Sequence, residues 1–263
     1  MKELNHGVYQ HTFFKTIIMK FLAFCLTLVL FAACNKSDYI PVHGGGSNGK
    51  EKIIGTVYLF DDLANAAPAY DMTVSIDGTA FTTSTDSSGK YSFKDVPAGT
   101  YNLTYSKTGY GTYRLDTFHL VYNANDTPAV VPVKALSTVS TTTVTDLFIS
   151  VESDTIKIIP TIIPAGNDTA ARGVRFFYST DESVTGSNFL SYSKQFRLKT
   201  GTEAIKVAKT DFYDSGFSPG STVYVRVYGD AIFSNDYIDL ATGKRIFPNL
   251  NPTTIAAKSF VLP

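Results

Sequence analysis

The side chains in this sequence that could do chemistry are few and scattered. Its four histidines are His6, His11, His43 and His119. A zinc peptidase site draws His and Glu ligands at close spacing, and no His-x-x-Glu run occurs. His119 stands alone in a strand-like run and reads as a partly buried strand residue, so no Ser-His-Asp set can be assembled around it. Asp61-Asp62 and Asp181-Glu182 place carboxylates side by side. Calcium takes about six to eight oxygens, supplied in loops by acids at alternating positions. Adjacent acids do not give that pattern and read as solvated turn residues. Asp146, Asp211 and Asp214 could act as glycosidase acids only if the fold set the right separation. Both cysteines, Cys25 and Cys34, lie in the opening stretch, which leaves no downstream thiol for a disulfide or a thiolate metal site. No catalytic residue, metal or cofactor is expected.

The best candidate for binding is Tyr224, Arg226 and Tyr228, in "FSPGSTVYVRVYGD". Their spacing of two puts them on one face of a strand. Tyr and Arg are enriched where partners bind, and exposed tyrosines can stack on sugar rings. The alternative is a solvated outer sheet face held by cross-strand pairs. The chain has 16 tyrosines and no tryptophan, which counts against a flat glycan platform.

Something must carry and position these residues. The chain has 263 residues, 44% hydrophobic and 17% charged, enough for one large or two modest domains. Its 23 basic and 23 acidic residues cancel, and no basic cluster suits nucleic acid. Phe21 to Ala33 is thirteen residues without a charge, preceded by Lys15 and Lys20. That is too short for a spanning helix of about 20 residues and suits a signal peptide. Met19-Lys20 begins a compact signal, so residues 1–18 read as an upstream extension. Leu30-Phe31-Ala32-Ala33-Cys34 resembles the lipobox of bacterial lipoproteins. The resemblance implies cleavage before Cys34 and acyl chains on that cysteine, which anchor a protein stably when there are two or more. Asn35, in place of an aspartate there, favours the outer membrane. Gly44-Gly45-Gly46-Ser47 then gives a flexible tether.

From Lys50 onward the pattern is short strands with turns between them. Ile53 to Leu59 is a β-branched run, and Met72 to Ile76 another, closed by Asp77-Gly78. Asp86-Ser87-Ser88-Gly89 is a turn with glycine where positive φ is wanted. Tyr91 and Phe93, then Tyr101, Leu103 and Tyr105, each share a face. Such strands predict an antiparallel sandwich. Ile53-x-Gly55-x-Val57, Thr85-Asp86-x-x-Gly89-x-Tyr91-x-Phe93, Pro97-Ala98-Gly99-Thr100-Tyr101 and Gly109-Tyr110 together resemble the carboxypeptidase regulatory-like family, whose members are transthyretin-like sandwiches. The resemblance implies a binding, spacer or assembly module, since in metallocarboxypeptidases the zinc lies in a separate domain.

Ser137 to Thr143 reads as a domain join. Beyond it Leu147, Ile149 and Val151 alternate, Pro160 marks an edge strand or bulge, and Val174, Phe176 and Tyr178 share a face. Phe217-x-Pro219-Gly220 before a Tyr-rich strand resembles the strand-F entry of fibronectin type III domains, with Val223 where that family places an inward tyrosine. Phe233 to Pro252 has no clean period and reads as a long loop or irregular hairpin. The expected fold is all-β, with two tandem antiparallel β-sandwich domains, immunoglobulin-like and transthyretin-like, after a lipoprotein signal peptide. The expected divisions are a leader 1–33, a lipidated tether 34–50, and sandwiches 51–136 and 137–263. The expected role is a non-enzymatic accessory binding or assembly subunit, held in outer-membrane lipid through Cys34. A polysaccharide or an envelope protein is its expected partner, and nucleic acid is not. The alternatives are a glycan-binding lipoprotein of an uptake system and a fimbrial or adhesin subunit.

Overall fold

The structure is a computed structural model that describes residues 49–123 and 125–263. The expected leader, Cys34 and the tether as far as Asn48 lie outside those residues. Among the described residues no helix is long and apolar enough to cross a membrane.

The first lobe contains β1 (Glu51–Phe60), β2 (Ala66–Ala67), β3 (Thr73–Ile76), β4 (Thr82–Ser84), β5 (Lys90–Lys94), β6 (Gly99–Ser106), β7 (Tyr113–Leu120), β8 (Ala129–Val130) and β9 (Lys134–Ser137). One sheet runs β4-β3-β6-β7 and is antiparallel throughout. The other is built around β1, which pairs antiparallel with β2 and β5 and parallel with β8 and β9. The parallel pairing departs from the purely antiparallel expectation. After β7 the chain returns to the unused edge of β1 and runs alongside it in the same direction. Period-two alternation turns Ile53, Val57 and Leu59 inward against Val74, Ile76, Phe93 and Leu103. Each such side chain, fully buried, stabilises the fold by about 1.5–3 kcal/mol.

Two glycines of the first lobe have physical reasons. Gly89 has φ of 76°, and a Cβ there would stand 2.1 Å from the Val57 carbonyl oxygen. Gly55 lies opposite Tyr91, whose ring crosses over it, so a Cβ at Gly55 would stand 2.3 Å from the Tyr91 phenol oxygen. That ring cannot swing away easily. Its hydroxyl meets the Tyr105 hydroxyl at 2.7 Å inside the core, where burial pushes the Tyr91 phenol up to about 12 and raises Tyr105 as well. Gly55→Ala is therefore expected to cost about 1–3 kcal/mol through overpacking. Urea unfolding should show a lower midpoint at an unchanged slope. An unchanged midpoint would show that Tyr91 does not fill this space.

The second lobe contains β10 (Thr143–Val151), β11 (Thr155–Ile163), β12 (Arg172–Ser179), β13 (Ser191–Tyr192), β14 (Phe196–Leu198), β15 (Ile205–Ala208), a six-residue helix α1 (Lys209–Asp214), β16 (Thr222–Asp230), β17 (Tyr237–Asp239), β18 (Lys244–Ile246) and β19 (Lys258–Val261). One sheet is β10-β11-β15 and the other is β13-β12-β16-β19, with β14 also on β12. Val174, Phe176, Val223, Val225 and Val227 face Leu147, Ile156 and Ile158 across the sandwich. Pro160 needs no partner for its missing N–H on the β15 side, because β15 pairs only Thr155 to Ile158. The irregular segment after Phe233 is a small hairpin of β17 and β18. Val223 is fully buried at the inward position, and Tyr224 faces the other way. The described chain is thus nearly all-β, with sandwich architecture in both lobes.

Much of the Ser/Thr run between the lobes is buried, with Thr141 exposed. Ser137, Ser140 and Thr142 are all buried. Asn249 donates to the Ser137 carbonyl at 2.7 Å, and the Asn235 amide donates to Asn249 Oδ1 at 2.8 Å. Phe60 meets Phe233 edge-on at 5.1 Å, and Tyr113 meets Tyr237 at 5.5 Å. The lobes are joined by packing as well as by chain.

Candidate functional site

The acids singled out from the sequence are dispersed. Among the described residues no group of three or more His, Cys, Asp or Glu is placed to hold a metal ion. Asp61 accepts from the amides of Leu63 and Asn65 and closes a turn. Those hydrogen bonds hold its carboxyl below the usual range, against the opposing effect of burial. Its neighbour Asp62 is not a solvated turn acid. It is 8% exposed and accepts from the Thr141 amide at 2.8 Å and the Thr141 hydroxyl at 2.7 Å, with Arg172 at 3.6 Å. Asp181 accepts from the Ser183 amide, and Glu182 is exposed. Asp146 pairs with Lys258 at 2.9 Å, while Asp211 and Asp214 lie on α1. His119 is exposed on β7 rather than partly buried, with Nδ1 2.9 Å from the Thr100 hydroxyl.

Tyr224, Arg226 and Tyr228 do share one face of β16, but that face is roofed. Tyr228 is 8% exposed and packs with Phe177, Val184 and Phe247 in a second core, against which Phe189, Tyr224 and Leu250 also pack. Arg226 donates through Nε to the Ile255 carbonyl at 3.1 Å and through a terminal nitrogen to the Val184 carbonyl at 3.2 Å. The segments after β12 and after β18 cover what period-two reasoning left open. The candidate patch is therefore packed under these segments, with Tyr228 buried and Tyr224 and Arg226 half-buried, rather than an open platform.

Beside it lies a buried ion pair. Arg175 on β12 donates through Nε to Asp230 Oδ2 at 2.9 Å, and both residues are buried. The guanidinium also lies over the Phe247 ring at 4.8 Å and donates to the Ser193 carbonyl at 3.0 Å. Asp230 Oδ1 has no hydrogen-bond partner. Burial holds the Asp230 carboxyl above its usual range, with Arg175 pulling it back down.

The open surface is at the rim of this second core, on either side of the edge strand β13. Tyr192 is held edge-on by Phe247 at 5.0 Å and by Phe189 at 5.5 Å, with Arg245 over its ring, yet it stays 37% exposed. It lines two clefts. One, of about 380 Å³, is lined by Asn188, Phe189, Lys244 and Arg245 among others. The other, of about 390 Å³, takes in Ser191, Lys194, Asp211 and Ser215. Tyr178 contributes to the second cleft, and its buried hydroxyl has no hydrogen-bond partner. Burial, and then the Asp211 charge, raise its pKa. An unmet buried polar group costs about 1–3 kcal/mol. A larger cleft, of about 550 Å³, lies by the first lobe at Ile54, Lys90, Val130 and Val133.

Sequence reasoning missed Phe189, Tyr192 and Arg245. The available signal was slight, two aromatics in the Ser-rich run Ser187 to Ser193 and a basic pair in a segment without period.

Residues 52–145 match the model of the carboxypeptidase regulatory-like domain. No curated protein matches the sequence. Among solved structures, a protein from Bacteroides uniformis proposed to bind carbohydrate is 12% identical, with a TM-score of 0.31 over 81% of this chain and 100% of that one. A DUF3823 family protein from Parabacteroides merdae is 15% identical, with a TM-score of 0.25 over 69% of this chain and 92% of that one. The major pilin subunit of Bacillus cereus is 11% identical, with a TM-score of 0.26 over 79% of this chain and 70% of that one. At such scores these likenesses transfer neither fold nor role. What the motifs of the first lobe and the family model agree on is that the chain contains a carboxypeptidase regulatory-like domain.

Proposed function

We propose that this is a non-enzymatic lipoprotein of the outer membrane, an accessory binding or assembly subunit that carries two sandwiches on an acylated Cys34. In this reading the leader is residues 1–33, the tether 34–50, and the sandwiches 51–136 and 137–263, the second of fibronectin type III type. The observation that carries the role is the regulatory-like domain of the first lobe, whose Asp62 holds the joint to a second sandwich whose own acids hold turns and ion pairs. Such a body presents surface and rigidity rather than a reactive group. The lipobox-like run Leu30 to Cys34 supports the anchor.

Metabolic labelling with palmitate tests the anchor. The natural chain is expected to take up label, and Cys34→Ala to lose it and accumulate uncut precursor. Equal labelling of the two would remove Cys34 as the site. A glycan-binding role is the second reading, favoured by the partly exposed Tyr192, which lines two clefts.

A further inference from the structure

We propose that the surface on either side of β13 binds an acidic oligosaccharide, stacked on Tyr192 and held by Lys194 and Lys244. This rests on the protein being a non-catalytic binding protein, and not on its anchor.

Geometry provides the first reason. Both clefts fall within the range of about 300–1,000 Å³ usual for small-ligand sites, and Tyr192 lines both. Tyr192 is 37% exposed although Phe189 and Phe247 meet its ring at steep angles and Arg245 lies over it. A ring fixed before binding loses little freedom when a ligand arrives. A pyranose offers the matching chemistry, a patch of C–H groups for an aromatic ring and hydroxyls around it. Polar groups of the chain line both clefts. Asn188 lines one cleft, and Ser191, hydrogen-bonded to Ser215 at 3.2 Å, lines the other. Tyr178, whose buried hydroxyl has no hydrogen-bond partner, is among the residues lining the second cleft.

Charge provides the second reason, and it sets the class of sugar. Arg245 is matched by Asp236, and Lys206 by Glu152 at 3.5 Å. Lys194 lies over the Phe196 ring, and among the described residues neither it nor Lys244 has a carboxylate at ion-pair distance. Asp211 is the carboxylate that lines these clefts. Two ammonium groups without a carboxylate at ion-pair distance, one in the lining of each cleft, suit a chain whose sugars carry carboxylates, such as a polyuronate.

Isothermal titration of the detergent-solubilised full-length protein with oligogalacturonate tests this, with a neutral maltooligosaccharide alongside. Oligogalacturonate is expected to bind and to weaken with salt. Tyr192→Ala should weaken it about tenfold. Lys244→Glu, at an exposed hairpin position that leaves the aromatic packing alone, should weaken it about threefold. Oligogalacturonate binding left unchanged by both substitutions would overturn the site. Equal affinity for the neutral oligomer, or no heat with oligogalacturonate, would overturn the ligand class. Loss of palmitate labelling from the natural chain would sink the anchor while leaving this site standing. Binding of some other polysaccharide, unaffected by both substitutions, would sink the site while leaving the binding role.

Discussion

Asp230→Ala is expected to destabilise the protein by about 3–5 kcal/mol, because it strands a buried guanidinium. Asp230 is 1% exposed at the end of β16, and Arg175, whose Nε it binds, is 6% exposed. Without the carboxylate, Arg175 retains the Ser193 carbonyl and the face of Phe247, neither of which neutralises it. The damage should travel outward, since Phe247 is the ring that grips Tyr192. The pair itself adds little net stability. One carboxylate oxygen has no partner, and burial raises the carboxyl toward its neutral form. Replacing both partners, as Arg175→Leu with Asp230→Ala, should therefore recover most of the loss. Denaturant unfolding of the two single variants and the double variant gives the coupling directly. A single-variant loss below about 1 kcal/mol, in the range of exposed pairs, would show that the pair is not buried in solution.

The second large effect is expected at the joint. Asp62→Ala removes the acceptor for both the amide and the hydroxyl of Thr141 and the neighbour of Arg172, at a cost of about 3 kcal/mol for charge-assisted bonds left unmade. Asp62 lies in the turn after β1, whereas Thr141 and Arg172 belong to the join and the second lobe. Its backbone carbonyl also accepts from the Ile232 amide at 2.8 Å, so the turn is held from two directions. Close backbone approach adds to this, since a Cβ on Gly111 would stand 2.0 Å from the Pro248 carbonyl oxygen. The intact protein should melt in one calorimetric transition. The variant should show two, because lobes with separate cores unfold independently once uncoupled. A single transition at an unchanged temperature in the variant would mean that the joint is held by something else.

Local chemistry was readable in the sequence, and long-range cover was not. The turn at Gly89 and the inward set of Tyr91, Phe93, Leu103 and Tyr105 follow from positive φ and period two, both local properties. The regulatory-like motifs pointed to the first lobe for the same reason, because Gly55 and Tyr91 are forced together by pairing within one sheet. Period two also put Tyr224, Arg226 and Tyr228 on a common face of β16. It could not say what lies on that face. Val184, Phe189, Phe247 and Leu250, which roof it, come from irregular segments whose path depends on tertiary packing. Asp62 misled in the same way. A turn acid by composition, it becomes a buried acceptor because Thr141 arrives from 79 residues away. The parallel return of β8 and β9 to β1 left no periodic trace either, since both strands are short.

The proposed role depends most on the state of Cys34. Intact-mass spectrometry of the mature protein, extracted from membranes of the native cell, measures that state directly. The expected mass is that of residues 34–263 plus a diacylglyceryl group and an amino-terminal acyl chain. A mass matching an unmodified Cys34, or one that still includes residues 21–33, would contradict the lipid anchor and the envelope role built on it.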